Sequence, residues 1–160
     1  MSGLAGRSVL ITGSRQRTGW AIARAVAAQG ATVFLHGREP SDSNDRCTQL
    51  KALGAAAAHD LHGDLTDPAA VAELASAAAQ LGGIDSLVNN VGVYRPTPLS
   101  STDPAHWRWT MAGNLDATFF ASQAFAPQLL ARPRSRIVNL GSTTCDRLQA
   151  APETPAYQIA

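Results

Sequence analysis

The chain has 160 residues, of which 45% are hydrophobic and 16% charged, and its formal net charge is +1. This composition is typical of one globular domain with a sizeable core and excludes an intrinsically disordered chain. The small net charge provides no broad basic surface, so nucleic acid is not expected as a partner. No apolar run reaches the length that spans a bilayer, so a membrane is not expected as a partner either.

The two cysteines, Cys47 and Cys145, stand far apart in the sequence and form no C-x-x-C motif. Two free thiols in a reducing compartment are the simplest interpretation. A predicted strand begins almost at the N-terminus, at Val9-Leu10-Ile11, which leaves no room for a signal peptide. We therefore expect a cytoplasmic protein.

Short β-branched runs alternate with alanine-rich helical stretches along the chain. The predicted strands are Ser8–Ile11, Thr32–Leu35, Ala56–His59, Ser86–Asn89 and Ile137–Leu140. The predicted helices are Gly19–Gln29, Ser43–Leu53, Pro68–Gln80 and Pro104–Leu130. This alternation indicates βαβ crossovers and a parallel sheet. The predicted fold class is α/β, a Rossmann-like doubly wound parallel sheet in three α/β/α layers, and we expect one domain over residues 1–160 that is cut after its fifth strand.

Residues typical of helix ends stand at the predicted boundaries. Asp67-Pro68 and Asp103-Pro104 each place an N-cap acid before a proline at the first helical position. Glycines follow three of the predicted helices, where a left-handed residue is favoured; they are Gly30, Gly54 and Gly82. Pro127 falls inside the longest predicted helix and is expected to kink or split it.

The loop after the first strand reads Thr12-Gly13-Ser14-Arg15-Gln16-Arg17-Thr18-Gly19 and opens the first helix. A dinucleotide pyrophosphate needs close backbone approach, free N–H groups and a helix N-terminus. Gly13 permits a tight turn, and Gly19 lets the helix start pack closely on the strand. The Ser14 and Thr18 hydroxyls can donate to phosphate. The alternative interpretation is an ordinary βα turn built from small residues.

This loop resembles that of the short-chain dehydrogenase/reductase family, whose pattern is T-G-x-x-x-G-x-G. The chain has Arg17 in place of the middle glycine, and this form is similar to the pteridine-reductase branch of the family. The Arg17 guanidinium can reach phosphate, although drift on a solvent-facing loop is an alternative. The resemblance covers essentially the whole chain. It implies an NAD(P)-dependent enzyme that transfers hydride between nicotinamide and a small-molecule carbonyl or alcohol substrate.

The end of the second strand bears on which nicotinamide cofactor is bound. Gly37 stands where the family's NAD-binding members usually carry an acid, and Arg38 follows it. A guanidinium binds a 2′-phosphate, whereas an acid repels it. We therefore predict NADP(H) rather than NAD(H), with Arg15, Arg17 and Arg38 converging on the 2′-phosphate side. The alternative is that Glu39 binds the ribose and Arg38 is a solvated charge.

Two further strand ends match the family. Asp64 and Leu65 follow the third strand, and the resemblance implies cofactor contacts there, with Asp64 at the adenine edge; a helix-capping acid is the alternative. Asn89-Asn90-Val91-Gly92 follows the fourth strand and matches the family's N-N-A-G motif except at Val91. Asparagine can hydrogen-bond neighbouring strands, and glycine lets the backbone lie against a cofactor. Asn90 and Gly92 are accordingly predicted cofactor contacts, although an ordinary turn uses the same residue types.

The predicted catalytic residues come from three separate places in the chain. By resemblance, Ser142 hydrogen-bonds the substrate carbonyl oxygen, Tyr157 donates the proton during reduction, and Asn114 holds a water of the proton relay. Because the interval between serine and tyrosine is longer than usual for the family, Thr144 is an alternative to Ser142. The alternative for Asn114 is an exposed helical asparagine without a role in catalysis. The alternative for Tyr157 is an aromatic residue in a frayed chain terminus.

Tyr157-Gln158-Ile159-Ala160 is the front of a Tyr-x-x-x-Lys motif whose lysine is not in the sequence. In the family this lysine activates the tyrosine by its charge and holds the nicotinamide ribose. The second hypothesis is therefore a catalytically silent nucleotide-binding or interaction protein. If these residues are the whole molecule, we expect an uncovered fifth strand, low stability and association; if a full-length domain exists, we expect a homo-oligomer.

A metal site is the weakest of the possibilities. His59 and His62 stand near Asp60 and Asp64, but the spacing is loose and a strand end with alternating polar residues explains the pattern. No metal is predicted.

Overall fold

The structure, a computed structural model, describes residues 3–41, 44–142 and 153–160. The strands are β1 (Ser8–Ile11), β2 (Thr32–Gly37), β3 (Ala57–His62), β4 (Ser86–Asn89) and β5 (Arg136–Asn139). The helices are α1 (Arg17–Ala27), α2 (Asn44–Ala52), α3 (Pro68–Gln80), α4 (Pro104–Met111), α5 (Ala117–Leu130) and α6 (Pro155–Ile159). A 3₁₀ turn covers Leu99–Ser101, and a π-helical turn covers Ala112–Asp116.

The five strands form one parallel sheet in the order β3-β2-β1-β4-β5. The chain builds outward from β1 through β2 to β3, then crosses to the other side of β1 for β4 and β5. In open α/β sheets, this reversal creates a crevice at the carboxyl ends of the strands on either side of it. The predicted Rossmann-like, doubly wound fold is confirmed.

Alternating residues of β1 contribute to hydrophobic cores on the two faces of the sheet. Val9 and Ile11 pack with buried residues of α1 and α2 on one face. Leu10 packs with Phe34 and Phe125 on the other face, where α3 and α5 lie. Burying each of the large side chains contributes about 1.5–3 kcal/mol. Because β1 is held from both faces, the loop that follows it leaves from a fixed position.

The predicted N-cap acids and the left-handed glycines after helices are confirmed. The Asp67 carboxylate accepts a hydrogen bond from the Ala69 N–H at 2.9 Å, and the Asp103 carboxylate accepts one from the His106 N–H at 2.7 Å. An N-cap of this kind contributes about 1 kcal/mol. The glycines predicted after helices have positive φ angles of 82°, 113° and 100°, at Gly30, Gly54 and Gly82 respectively.

Several element boundaries differ from the predicted ones. The strand β2 continues to Gly37 and β3 continues to His62, because the parallel pairing of the two strands extends as far as these two residues. The strand β5 begins earlier than predicted, since the Arg136 N–H bonds the Asp85 carbonyl oxygen at 3.1 Å. The helix α1 also begins earlier, at Arg17. Ser43, the predicted start of α2, lies outside the described residues.

The predicted helix Pro104–Leu130 is interrupted, but not at Pro127, so the expected split at this residue is wrong and the alternative of a kink there stays a prediction. The interruption is the π-helical turn at Ala112–Asp116, and Pro127 lies within α5 near its C-terminal end. The side-chain amide of Asn114 donates to the Thr110 carbonyl oxygen at 2.9 Å. In a regular α-helix this oxygen accepts a hydrogen bond from the Asn114 backbone N–H. Here the side-chain amide of Asn114 occupies the same acceptor, which interrupts the helical hydrogen-bond pattern. None of the described helices has the length and apolarity of a membrane span.

Candidate active site

Within the described part of the chain, three clefts at the carboxyl ends of the strands adjoin one another. The basic cleft, of about 330 Å³, includes Arg15, His36, Gly37, Arg38, Asp64 and Leu65 in its lining. The loop cleft, of about 320 Å³, is lined by Gly13, Gln16, Arg17, Thr18, Gly19 and Asn90. The tyrosine cleft, of about 400 Å³, includes Asn114, Ser142 and Tyr157 in its lining. Val91 and Gly92 line all three, so the clefts adjoin along one dipeptide.

The two glycines of the loop after β1 are required by the backbone geometry. Gly13 has a φ angle of 62°, in the left-handed region that glycine adopts without strain. A Cβ on Gly19 would lie 2.5 Å from the Gly13 carbonyl oxygen and 2.7 Å from Asn90 Nδ2. The predicted tight turn and close helix packing are therefore confirmed, while contact with a cofactor stays a prediction.

Arg17 adopts a backbone conformation that usually belongs to glycine. Its φ angle is 50°, at the position where the family pattern has its middle glycine. Non-glycine residues in this region are strained and cluster at ligand-binding sites. The exposed Arg17 side chain lines the loop cleft, whereas Arg15 and Arg38 line the basic cleft. The expected convergence of all three arginines on one side does not agree with this arrangement.

His36 is a site residue that the sequence interpretation missed. Its Nδ1 accepts the Gly13 N–H at 3.1 Å, so its Nε2–H donates to the Gly63 carbonyl oxygen at 2.9 Å. Burial lowers the pKa of His36 to about 4, so the ring is neutral near pH 7. The ring thereby joins the loops after β1 and β3. A single polar residue at the end of the apolar run in β2 was the available signal.

Ser14 lies beneath the glycine loop and not in a cleft. Its side chain is fully buried, and its Oγ accepts the His36 backbone N–H at 3.0 Å. The predicted contact of the Ser14 hydroxyl with phosphate does not agree with this burial. Thr18, in contrast, is exposed and lines both the loop cleft and the tyrosine cleft.

Arg15 is held at the carboxyl ends of β2 and β3 by several acceptors. Its Nε and Nη2 donate to the two Asp60 carboxylate oxygens at 2.9 and 2.6 Å. Its Nη2 also donates to the Leu61 carbonyl oxygen at 3.2 Å, and its Nη1 donates to the Glu39 carbonyl oxygen. The guanidinium occupies the space that a Cβ on Gly37 would need. Arg15 therefore stands where a side chain of residue 37 would project.

Arg38 and Asp64 form the outer part of the basic cleft. The Arg38 side chain is 58% exposed, and its Nε lies 3.4 Å from Asp64 Oδ2. Asp64 Oδ1 accepts hydrogen bonds from the Thr66 N–H at 2.9 Å and the Thr66 hydroxyl at 2.8 Å. Burial alone raises the pKa of Asp64, but the Thr66 hydrogen bonds and the Arg38 charge outweigh it and lower the pKa overall.

The alternative role of Asp64 as a helix cap is wrong, because Asp67 caps α3. Leu65 is buried and contributes an apolar part of the cleft lining.

The histidine considered as a metal ligand has an aromatic neighbour instead. The His59 ring packs against Phe34, with 4.8 Å between the ring centroids. Across residues 3–41, 44–142 and 153–160, no group of at least three His, Cys, Asp or Glu side chains is placed to hold a metal ion.

The two asparagines at the end of β4, Asn89 within the strand and Asn90 directly after it, connect β4 to its two neighbouring strands. Asn90 Nδ2 donates to the Thr12 carbonyl oxygen at 2.8 Å and to the Gly13 carbonyl oxygen at 3.3 Å. Asn89 Nδ2 donates to Asn139 Oδ1 at 2.8 Å. Since Thr12 and Gly13 follow β1 and Asn139 ends β5, the predicted hydrogen bonding to neighbouring strands is confirmed.

Asn114 is oriented by the π-helical turn. Its Oδ1 accepts the Val93 N–H at 3.0 Å, and its Nδ2 donates to the Val93 carbonyl oxygen at 3.1 Å. A Cβ on Gly92 would lie 2.9 Å from Asn114 Oδ1, so the backbone after β4 approaches the amide closely. The predicted hydrogen-bonding role is confirmed against the alternative of an exposed helical asparagine. The predicted contact with a relay water stays a prediction.

The tyrosine cleft brings together the three predicted catalytic residues, although they lie far apart in the sequence. Ser142 follows β5, and Tyr157 lies in α6 with its ring packed against Tyr94. The alternative of a frayed terminal aromatic does not agree with this half-buried placement of Tyr157. Thr144, the alternative to Ser142, lies outside the described residues, as does Cys145.

Comparison with known proteins agrees with this geometry. The sequence model of the family described as short chain dehydrogenase matches residues 7–160. Galactitol 2-dehydrogenase (L-tagatose-forming) from Cereibacter sphaeroides is 40% identical over 139 residues, which cover 87% of this chain and 54% of that protein. The chain therefore spans about half the length of this curated relative.

Two solved structures have closely similar folds. Gluconate 5-dehydrogenase from Burkholderia cenocepacia J2315, in complex with NADP and tartrate, has a TM-score of 0.89 and 32% identity, covering 99% of this chain and 61% of its own. The NADH-dependent reductase A1-R′, complexed with NAD, has a TM-score of 0.89 and 27% identity, covering 99% of this chain and 68% of its own.

Proposed function

Because this chain belongs to the short-chain dehydrogenase/reductase family, we propose that it provides the cofactor-binding and catalytic residues of an NADP(H)-dependent oxidoreductase acting on a carbonyl or an alcohol. One observation carries the proposal. Asn114, Ser142 and Tyr157 line a cleft that shares Val91 and Gly92 with the clefts beside the glycine loop.

The loop cleft fits the pyrophosphate of a dinucleotide. The N-cap residue of α1, Gln16, makes no side-chain capping hydrogen bond, and the first turn of α1 carries no acid. Backbone N–H groups at such a helix start favour an anion. Arg17 and Thr18 add a guanidinium and a hydroxyl to the same lining, and Gly13 adds bare backbone. These residues would hold the pyrophosphate.

The basic cleft supports NADP(H) over NAD(H). Gly37 brings no carboxylate to the cleft, and the Arg15 guanidinium occupies the adjacent space. Arg38 is largely exposed and only loosely paired with Asp64, so it can turn toward a 2′-phosphate and bind it with two N–H groups. Glu39, the alternative ribose ligand, is not among the residues that line this cleft.

The tyrosine cleft supports proton transfer at a substrate oxygen. When bound, the nicotinamide ring supplies or accepts the hydride at the substrate carbon. Ser142 orients the carbonyl oxygen by a hydrogen bond, and the Tyr157 hydroxyl gives its proton to that oxygen during reduction. Among the residues that the structure describes, the Asn114 amide oxygen accepts the Val93 N–H, and its second lone pair gives it capacity for a water.

Titration with NADPH and NADH, followed by calorimetry, tests the cofactor assignment. We expect the folded protein to bind NADPH more tightly. Turnover is then measured with NADPH and 2,3-butanedione and with NADP⁺ and galactitol. Ser142→Ala and Tyr157→Phe are expected to keep NADPH binding and to lose roughly a hundredfold in kcat. Failure of the folded chain to bind either dinucleotide contradicts the proposal, and binding without turnover favours a silent nucleotide-binding protein.

A further inference from the structure

The segment of residues 93–97, which follows Gly92, connects the groups around the tyrosine cleft. Its first residue, Val93, uses its backbone N–H and carbonyl oxygen to bond the Asn114 amide at 3.0 and 3.1 Å. The next residue, Tyr94, places its ring against that of Tyr157. The centroids are 5.0 Å apart and the ring planes make an angle of 79°, which is a favourable edge-to-face geometry.

The same segment is anchored at two further points. The Arg95 guanidinium lies 4.7 Å from the ring centroid of Trp109 in α4, within the range of a cation–π interaction. The Thr97 N–H donates to the Glu153 carbonyl oxygen at 2.7 Å, just before α6. These contacts hold the backbone of Tyr94 from both sides, so its ring is presented to Tyr157 in a defined position.

The orientation of Tyr157 needs such a contact. Thr154 occupies the N-cap position of α6, but its side chain makes no capping hydrogen bond. A side-chain cap therefore does not fix the start of α6, and contacts with other parts of the molecule gain importance for the Tyr157 ring. Helix α4 and Tyr94 provide these contacts.

We propose that Tyr94 is a positioning residue that holds the Tyr157 ring toward the cleft shared with Asn114 and Ser142. This inference rests on the proposed function, in which Tyr157 gives the proton to the substrate oxygen. Tyr94 is itself 60% exposed and is not among the residues that line the tyrosine cleft, so it acts on the cleft through Tyr157. A group misplaced by a fraction of an ångström transfers a proton poorly, which makes the position of the ring a determinant of kcat.

The experiment uses the fact that the chain contains two tyrosines, Tyr94 and Tyr157. Isotope labelling of the tyrosine rings therefore gives two sets of nuclear magnetic resonance signals. In variants that replace Tyr94, only the Tyr157 signals remain. We expect Tyr94→Phe, which keeps the ring, to preserve the ring-current shift of the Tyr157 signals. Tyr94→Leu is expected to move these signals toward the positions of a free tyrosine.

The kinetic measurement uses NADPH and 2,3-butanedione. Tyr94→Leu is expected to lose roughly tenfold in kcat with the NADPH dissociation constant unchanged, and Tyr94→Phe to retain wild-type kcat. Phe119→Leu is the matched control, because it removes an aromatic ring that is 57% exposed and packs on Phe120 instead of Tyr157. This control is expected to alter neither the Tyr157 signals nor kcat.

Unchanged Tyr157 signals in Tyr94→Leu, or shifted signals with an unchanged kcat, overturn the positioning role. A wild-type chain that binds NADPH without turnover contradicts the proposed function. The proposed function therefore fails in the wild-type chain, whereas the positioning role fails when the wild type turns over and Tyr94→Leu keeps its kcat, so the two failures are distinguishable.

Discussion

Arg15 and Asp60 form a two-point ion pair, with Nε to Oδ1 at 2.9 Å and Nη2 to Oδ2 at 2.6 Å. The two side chains are only 13% and 14% exposed, so the pair is largely withdrawn from water. It joins the glycine loop after β1 to the strand β3, across the end of β2. The residue that the sequence suggested as a phosphate ligand is thus also a structural connection.

Removal of Asp60 is expected to leave the Arg15 charge unpaired. Breaking one side of a buried pair costs about 3–5 kcal/mol, and the residual exposure here favours the lower part of that range. We expect Asp60→Ala to lower the free energy of unfolding by about 3 kcal/mol in urea titrations. The double variant Arg15→Met/Asp60→Ala is expected to lose less than the sum of the two single changes. Additive losses contradict a coupled pair.

An acid at residue 37 is expected to reverse the cofactor preference. The Cβ of Gly37→Asp must displace the Arg15 guanidinium, and the carboxylate then repels a 2′-phosphate and accepts from ribose hydroxyls. We expect the dissociation constant for NADPH to rise roughly tenfold, which corresponds to about 1.4 kcal/mol, and that for NADH to fall. Calorimetry measures both. Gly37→Ala is the control for the displacement alone, and an equal effect of the two variants excludes the charge as the cause.

Glycine at residue 17 is expected to stabilise the fold while weakening anion binding. A left-handed conformation costs a non-glycine residue about 1–2 kcal/mol, and Arg17 has a φ angle of 50°. Since glycine also gains freedom in the unfolded state, we expect Arg17→Gly to raise the unfolding free energy by at most about 1 kcal/mol. The NADPH affinity is expected to fall several-fold, because a guanidinium leaves the loop cleft. A stability below that of the wild type argues against strain at this residue.

His36 is expected to make stability fall with decreasing pH. Burial lowers its pKa from 6.5 to about 4, so between these values the unfolded chain binds a proton that the folded chain does not. The contribution is therefore fully present above pH 6.5 and is lost as the pH falls toward about 4, with a total size of about 3 kcal/mol. Urea unfolding at a series of pH values measures it.

His36→Gln provides the test, because glutamine retains a donor and an acceptor without titrating in this range. We expect a flatter dependence of stability on pH in this variant. Burial also lowers the pKa of His59, so His59→Gln is the comparison, with a smaller change in the same direction. An unaltered slope in His36→Gln excludes this residue as its source.

The sequence predicted those parts of the fold that depend on local pattern. The bounds of β1, β4 and α3 agree with the apolar runs and with the Asp67-Pro68 cap. Because the strands are parallel, their carboxyl ends share an edge of the sheet, and both Ser142 after β5 and the glycine loop after β1 lie at this edge. The ends of β2 and β3 were not predicted, since His36 and Asp60 are polar residues whose partners come from other loops.

The remaining differences also arise from contacts between distant residues. The π-helical turn coincides with hydrogen bonds from the Asn114 side chain to Val93 and Thr110. The spacing of apolar residues along a helix does not indicate such bonds. The burial of Ser14 depends on how close β2 lies to the loop. Motif spacing identified residue types that suit a phosphate or a substrate. It could not show which of these residues are already hydrogen-bonded to a neighbouring strand.

Val91 and Gly92 line all three clefts, and the Val91 Cγ2 would lie 3.0 Å from a Cβ on Gly13. If the proposed function holds, these two adjacent residues contact both the dinucleotide and the reacting groups. We therefore expect substitutions at Val91 or Gly92 to alter dinucleotide affinity and proton transfer together, whereas changes at residues 37 and 94 are expected to address the two separately. Libraries intended to tune one property are best built with this dipeptide held constant.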